Sequence, residues 1–473
     1  MRTSGTQEKI HAVPLTAPDT TSARQDGTRA GHSLNSAVFV DKARGLRPFY
    51  FIVVVWGSTY TDLLLNFCIT SLLAPGNIPA LLNRGKNKFL VVTTLDDWER
   101  MNRSPILEVL KKYLEIVHLV IPSQSPEASI YDHMGVGHKM ATQRAFQDKA
   151  YGVLLTPDMM MSDGSLASIQ KHAVAGVQVV LTAALRYGEE PLFGHLENMG
   201  LVSIRSRLGD EASALSITGR QMASAGVNSF HNETLRFEWD APYFAPYYTG
   251  LPAALWWQVP EENGVIIHSS SWAAVLVDYA ALDGHDSSTM DHWAIDGDYI
   301  YRNFGDSEHI FVSQDSDEIM LVSWTSMDML TLSRKHKWLL TLPRLGEFIK
   351  GCLLRDAFLG PTSDPLKRRI LHLPVYFHAN EINGAWRCVE LRAQAILTSY
   401  LTSEQGIFRI WSMRWIGVAH RIYVLLLGRW DNRRHIMEMA CKALHGDTKA
   451  RDYLRHRIRL YFRQLIGRTV GGK

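Results

Sequence analysis

The sequence predicts an α/β protein built on a mostly parallel sheet with helices on both faces. Three observations carry that prediction. Apolar runs of strand length alternate with amphipathic stretches of helix length from Pro48 to Arg186. The runs are continuously apolar, as strands covered on both faces must be. Polar residues gather where the runs end, and ligands of such sheets sit outside the carboxyl ends of the strands.

The elements follow in order. Residues 48–57 (PFYFIVVVWG) are β-branched and aromatic and end in Gly57. Leu, Phe and Ile then recur at helical spacing from Ser58, and Ala74-Pro75-Gly76-Asn77 stops that helix. KFLVVTT (88–94) is a second strand that turns into a helix at Asp96-Asp97, and SPILEVLKKYLEI (104–116) is amphipathic. VHLVIP (117–122) is a third strand, GHKMATQRAFQDKA (137–150) a helix and YGVLLTPD (151–158) a fourth strand. GSLASIQKHAVAG (164–176) is helical and VQVVLTAALR (177–186) the fifth strand. Residues 200–245 read as irregular to helical. ALWWQV, GVIIHSSSWAAVLV and EHIFVSQDSDEIMLVSWT then read as further strands of the sheet. From about residue 330 the pattern is helical.

Three parts result. Residues 1–46 are polar and read as a disordered tail, too poor in apolar surface to offset the entropy of ordering. Residues 47–330 form the α/β domain, and 331–473 a mainly helical, basic extension. Of the 473 residues, 46% are hydrophobic, enough for a substantial core, and the net charge of +3 gives no general attraction to nucleic acid. Four widely spaced cysteines contain no CxxC pair, which argues against a zinc knuckle or a disulfide framework. No apolar run reaches the roughly 18–20 residues of a membrane span, and the N-terminus lacks the apolar core of a secretory signal. The expected location is the cytoplasm. FRIWSMRWIGVAHRIYVLLLGRW (408–430) interleaves Trp, Tyr and Arg with apolar residues. That pattern suits either a helix packed on the domain with a basic outer face or contact with the inner membrane surface.

Candidate chemistry lies in a few places. Asp158 ends the fourth strand and Asp163 follows three methionines. A divalent cation (Mn or Mg) on a diphosphate takes hard carboxylate ligands of this kind; the alternative for Asp163 is to cap the next helix. Asp291, His292, Asp296 and Asp298 fall within eight residues. They offer a general base for an acceptor hydroxyl, or a polar turn. His268 closes an apolar strand as a metal ligand or as a satisfied core histidine. SQDSDEI (313–319) reads as a solvated turn. GVGHK (135–139) precedes a predicted helix and offers N–H groups to a phosphate, but it lacks the third glycine of a dinucleotide fingerprint. No P-loop, HExxH or GxSxG sequence occurs.

In their order, VVVWGSTYTDLLLNFCITSLLAPGNIPAL, FLVVTTLDDWERM, VLLTPDMMMSDGSL, IIHSSSWAAVLVDY and IDGDYIYR resemble a bacterial group of GT-A-type, nucleotide-sugar-dependent glycosyltransferase-like proteins, over about residues 48–325. The resemblance implies a GT-A, Rossmann-like fold and transfer of a sugar from a nucleotide donor to a hydroxyl of a glycan or lipid-linked acceptor. It implies that Thr59, Thr94 and Asp97 border the nucleoside. Asp158 would hold the cation on the diphosphate, with Asp163 substituting for the second carboxylate, or with the metal held more weakly or not used; His268 stands apart as a further candidate ligand read from its strand end. Arg186 would neutralise leaving-group charge, and Asp296 or Asp298 would be the base. The family's Asp-x-Asp is here Thr156-Pro157-Asp158, so its first aspartate is missing. Two further readings therefore stand beside the transferase: a non-catalytic scaffold or glycan-binding subunit of polysaccharide assembly, and a nucleotidyltransferase.

Overall fold

A computed structural model describes residues 38–123, 129–202, 213–244, 254–291, 297–329, 342, 345–358, 365–401 and 451. In chain order the strands are β1 (Phe49–Val54), β2 (Lys88–Thr93), β3 (Glu115–Val120), β4 (Tyr151–Leu155), β5 (Met159–Met161), β6 (Val179–Ala183), β7 (Arg186–Gly188), β8 (Ala254–Gln258), β9 (Gly264–Ser269), β10 (Trp272–Asp278), β11 (Ile310–Val312), β12 (Leu321–Thr325) and β13 (Val375–His378). The helices are α1 (Ser58–Leu63, continued by a π-helical turn Leu64–Cys68 and by Ile69–Leu72), α2 (Leu95–Met101), α3 (Pro105–Leu110), α4 (Ile130–Gln147), α5 (Ser165–Val174) and α6 (Glu189–Asn198). They continue with α7 (Gly219–Gly226), α8 (Asn232–Leu235), α9 (Gly297–Phe304), α10 (Leu345–Phe358), α11 (Pro365–Leu371) and α12 (Gly384–Leu401).

The fold is α/β, with a mixed, mostly parallel seven-stranded sheet ordered β11-β6-β10-β4-β1-β2-β3. Strands β3, β2, β1 and β4 are parallel neighbours, and β6 is parallel to β11. The expected parallel run is interrupted at one point: β10 lies antiparallel between β4 and β6. The continuous apolar run of β1 has the predicted cause. Tyr50, Ile52 and Val54 belong to one core with Ala141 and Ala145 of α4. Phe49, Phe51, Val53 and Val55 belong to a second core with Leu64, Ile69 and Leu72 of α1 and Leu166 and Ile169 of α5. Alternate side chains thus enter opposite faces, each roofed by helices. A fully buried residue of this size contributes about 1.5–3 kcal/mol relative to exposure.

The later strand-like runs do not all extend this sheet. β5, β12 and β7 form a second sheet, and β8, β9 and β13 a third. GVIIHSSSWAAVLV splits into β9 of the third sheet and β10 of the first. The Ser269 hydroxyl donates to Ser271 O at 2.6 Å and accepts Ser271 N–H at 3.2 Å, a local turn that breaks the strand in two. Within the expected tail, residues 38–45 are helical and Ala43 is buried. The rest of the expected tail and the basic stretch 408–430 lie outside the described residues.

GVGHK does not precede a helix. It lies inside α4, which starts at Ile130 behind a capping box of Ser129 and Asp132. Its glycines serve packing and do not cradle a phosphate at a helix N-terminus. A β-carbon on Gly135 would stand 1.7 Å from Met290 O, and one on Gly137 2.6 Å from Val54 Cγ1. Helix propensity alone favours alanine over glycine by about 1 kcal/mol. Gly135→Ala is nevertheless expected to destabilise by about 1–3 kcal/mol, because the obstacle is backbone. Gly194→Ala in α6, where nothing lies within 4 Å, is expected to stabilise slightly. Urea unfolding midpoints of the two variants should move in opposite directions.

Candidate functional site

The chain leaves β1 toward β2 on one side of the sheet, and β4 lies on the other side. The carboxyl ends of β1 and β4 therefore flank a topological switch point, the place where sheets of this kind take their ligands. On the β1 side the chain turns through Gly57, whose φ of 79° suits glycine. Its N–H donates to Asp97 Oδ2 at 2.9 Å. The same oxygen accepts the Thr94 hydroxyl at 2.8 Å, and Thr94 Oγ1 accepts Asp97 N–H as the N-cap of α2. Thr94 and Asp97 thus lock the loops after β1 and β2 together. Thr59 is exposed on the first turn of α1. Trp56, one aromatic in an apolar run with no motif to single it out, sits half-buried here with its ring edge-on to His133, centroids 4.9 Å apart.

On the β4 side Asp158 is brought to Arg186. Arg186 Nη1 donates to Asp158 Oδ2 at 3.0 Å, to Ser323 Oγ at 2.7 Å and to Trp324 O at 3.4 Å. The second sheet builds this contact. Its register sets Met159 opposite Ser323 and Ser323 opposite Arg186, so the residue before Met159 reaches across the strand. Trp324 N–H also donates to Asp158 O at 3.3 Å. Ser323 had no signal in the sequence, being one serine in a strand-like run.

The other expected ligands are not assembled. Asp163 is spent on two loops. Its Oδ1 accepts Gly76 N–H at 2.6 Å and its Oδ2 the Ser216 hydroxyl at 2.5 Å. It ties chain ends together and does not join Asp158, from which the extended β5 separates it. His268 lies on β9 of the third sheet, fully buried. One ring nitrogen donates to Leu371 O at 2.9 Å, and burial pushes the imidazole down to about 4, so it is a neutral core group. Asp298 is ion-paired with Lys367. Its neighbour Tyr299 donates to Tyr279, whose ring abuts Gly152 near the start of β4, whereas Asp158 lies beyond the end of that strand. These contacts do not bring Asp298 to Asp158. Asp296 and His292 lie outside the described residues, and Asp291 is ion-paired with Lys139.

The three expected cation ligands therefore do not converge on one point. Asp158, Asp163 and His268 form no group within metal-binding distance, and the counter-charge beside Asp158 is an arginine. The carboxylate–imidazole group that does form is Asp315, Asp317 and His378, with ligand atoms within 4.8 Å. Its charges are already matched. His378 Nε2 lies 2.9 Å from Asp315, and Arg220 donates to Asp317 at 2.9 Å and pairs with Glu381 at 2.7 Å. SQDSDEI is thus a strap clamped to β13 rather than a free turn.

Compared with known proteins, the chain matches no family model and no curated relative. Among the described residues no helix is long and apolar enough to cross a membrane.

The clamp has a pH signature. The hydrogen bond to Asp315 raises His378, opposed by burial. Burial pushes Asp315 up, but the bonds from His378 and Asp317 N–H outweigh it and lower the carboxyl overall. The raised histidine stabilises fully below its unfolded pKa of about 6.5, and this is lost as pH climbs through the folded value. The lowered carboxyl stabilises above its unfolded pKa of about 3.9 and fails as acid passes its folded value. The stability gap between wild type and His378→Asn should be widest near pH ~5–6 and shrink by pH ~8–9. A gap constant over that range in urea titrations would show that His378 acts through packing alone.

Proposed function

We propose that the β1–β4 switch point binds a nucleotide-sugar donor and that the protein transfers the sugar to a hydroxyl of a glycan or lipid-linked acceptor. The observation that carries the reading is the position of Asp158 and Arg186 together at this carboxyl rim, where α/β sheets bind nucleotides. The rigid loops after β1 and β2 would border the nucleoside, with Thr59 on the exposed first turn of α1. Arg186 would neutralise the diphosphate as it leaves. Asp298 already has a lysine partner, so Asp296 is the carboxylate proposed as base toward the acceptor hydroxyl. Contact of the basic extension with a membrane surface belongs to the same proposal, since it would bring the chain to a lipid-linked acceptor.

A second reading is a non-catalytic subunit that binds glycan in polysaccharide assembly. It is favoured by the engagement of Asp163, the second carboxylate expected beside Asp158, with Gly76 and Ser216. Calorimetric titration with UDP-, GDP- and TDP-sugars separates the two. The transferase is expected to bind one nucleotide class with micromolar affinity, about −8 kcal/mol, and to release free nucleoside diphosphate when an acceptor is added. Binding of oligosaccharide with no nucleotide bound at millimolar concentration would select the scaffold.

A further inference from the structure

Every hydrogen bond of the Arg186 guanidinium leaves from one nitrogen. Nη1 is held by Asp158, Ser323 and the carbonyl of Trp324. Nη2 and Nε donate to nothing among the described residues, and the side chain is 39% exposed. The backbone of Arg186 is pinned as well. Its N–H donates to Thr234 Oγ1 at 3.1 Å, its carbonyl accepts the Thr234 hydroxyl at 2.8 Å, and β7 is laddered to β12. A guanidinium is a rigid planar fork. Fixing one tine fixes the direction of the other, so the open Nε–Nη2 edge is pre-oriented for two oxygens of one anion.

We infer that Arg186 is the receptor for the phosphate oxygens of the ligand and takes the place of a divalent cation, with Asp158 as its anchor and competing counter-ion. For the identity of the ligand this rests on the nucleotide-sugar reading above; the anion site itself does not. A cation bound to Asp158 would have to displace Arg186 or lie beside its positive charge. Both other carboxylate or imidazole ligands expected for it are engaged elsewhere. An incoming phosphate instead finds two N–H donors already aimed and needs no rearrangement of the Nη1 anchor.

The inference predicts an unusual sign for one substitution. Asp158→Asn keeps an oxygen to accept from Nη1 but removes the charge that competes for the arginine. It should tighten anion binding, whereas loss of a metal-ligating aspartate weakens it. The experiment is calorimetry with inorganic pyrophosphate, and in parallel with UDP and GDP, in buffer containing EDTA and then with Mn²⁺ in excess. The expected results are pyrophosphate binding in EDTA, at least threefold tighter binding in Asp158→Asn, and at least tenfold weaker binding in Arg186→Gln. Arg186→Lys, which keeps the charge but not the fork, should fall between wild type and Arg186→Gln. If Arg186→Gln does not fold, the EDTA result and the direction of the Asp158→Asn change decide alone. Binding seen only with Mn²⁺ and abolished in Asp158→Asn overturns the inference and leaves the nucleotide reading standing. Pyrophosphate binding through Arg186 with no nucleotide bound supports the inference and removes the nucleotide reading. Absence of pyrophosphate binding under both conditions overturns the inference.

Discussion

Strand β1 is buried on both faces, and the rest of the architecture follows from meeting that demand. Its odd- and even-numbered side chains feed two separate cores. Helices must therefore cover both sides of the sheet, and a strand with two covered faces takes parallel neighbours joined by crossovers. With β2 on one side and β4 on the other, the connections from β1 and β4 diverge at their carboxyl ends. The switch point is a consequence of covering β1, not a separate device.

The second sheet sets Arg186 beside Asp158 at that rim. A strand of three residues cannot stand by itself; β5 is held because its methionines reach in both directions, Met160 into one core and Met159 and Met161 into the other. Flexible thioethers suit a position squeezed between two irregular surfaces. This explains why an aspartate precedes a methionine cluster. The methionines lay down a strand next to β12, and β12 carries the serine and the neighbouring strand whose arginine receives that aspartate.

Acidic residues in this chain divide by their partners. Asp163 and Asp97 accept backbone N–H groups and fix loops, at a typical net gain of about 1.5–3 kcal/mol for a bond to a charged group. Asp315 and Asp317 clamp a strap through His378 and Arg220. Asp158 differs because its partner keeps an exposed edge that is unpaired among the described residues. The distinction rests on what remains open on the neighbour, not on the carboxylate itself.

The sequence by itself determined the α/β class, strands β1 to β4 and β6, the helices between them and the place of Asp158 at a strand end. All of these are written in local periodicity, because a strand covered on both faces must be apolar throughout and a helix must repeat its apolar residues every third or fourth position. It also kept a core role open for His268. The sequence did not determine that β10 runs antiparallel between β4 and β6, that the apolar run 264–277 divides between two sheets, or that α4 begins before its glycines. Only the tertiary structure decided which aspartates share a site. Asp163 is five residues from Asp158 yet bonds Gly76 and Ser216, while Arg186 and Ser323, 28 and 165 residues away, surround Asp158. Pairing across strands is set by register and burial between distant segments, and no periodicity within a segment encodes its neighbour.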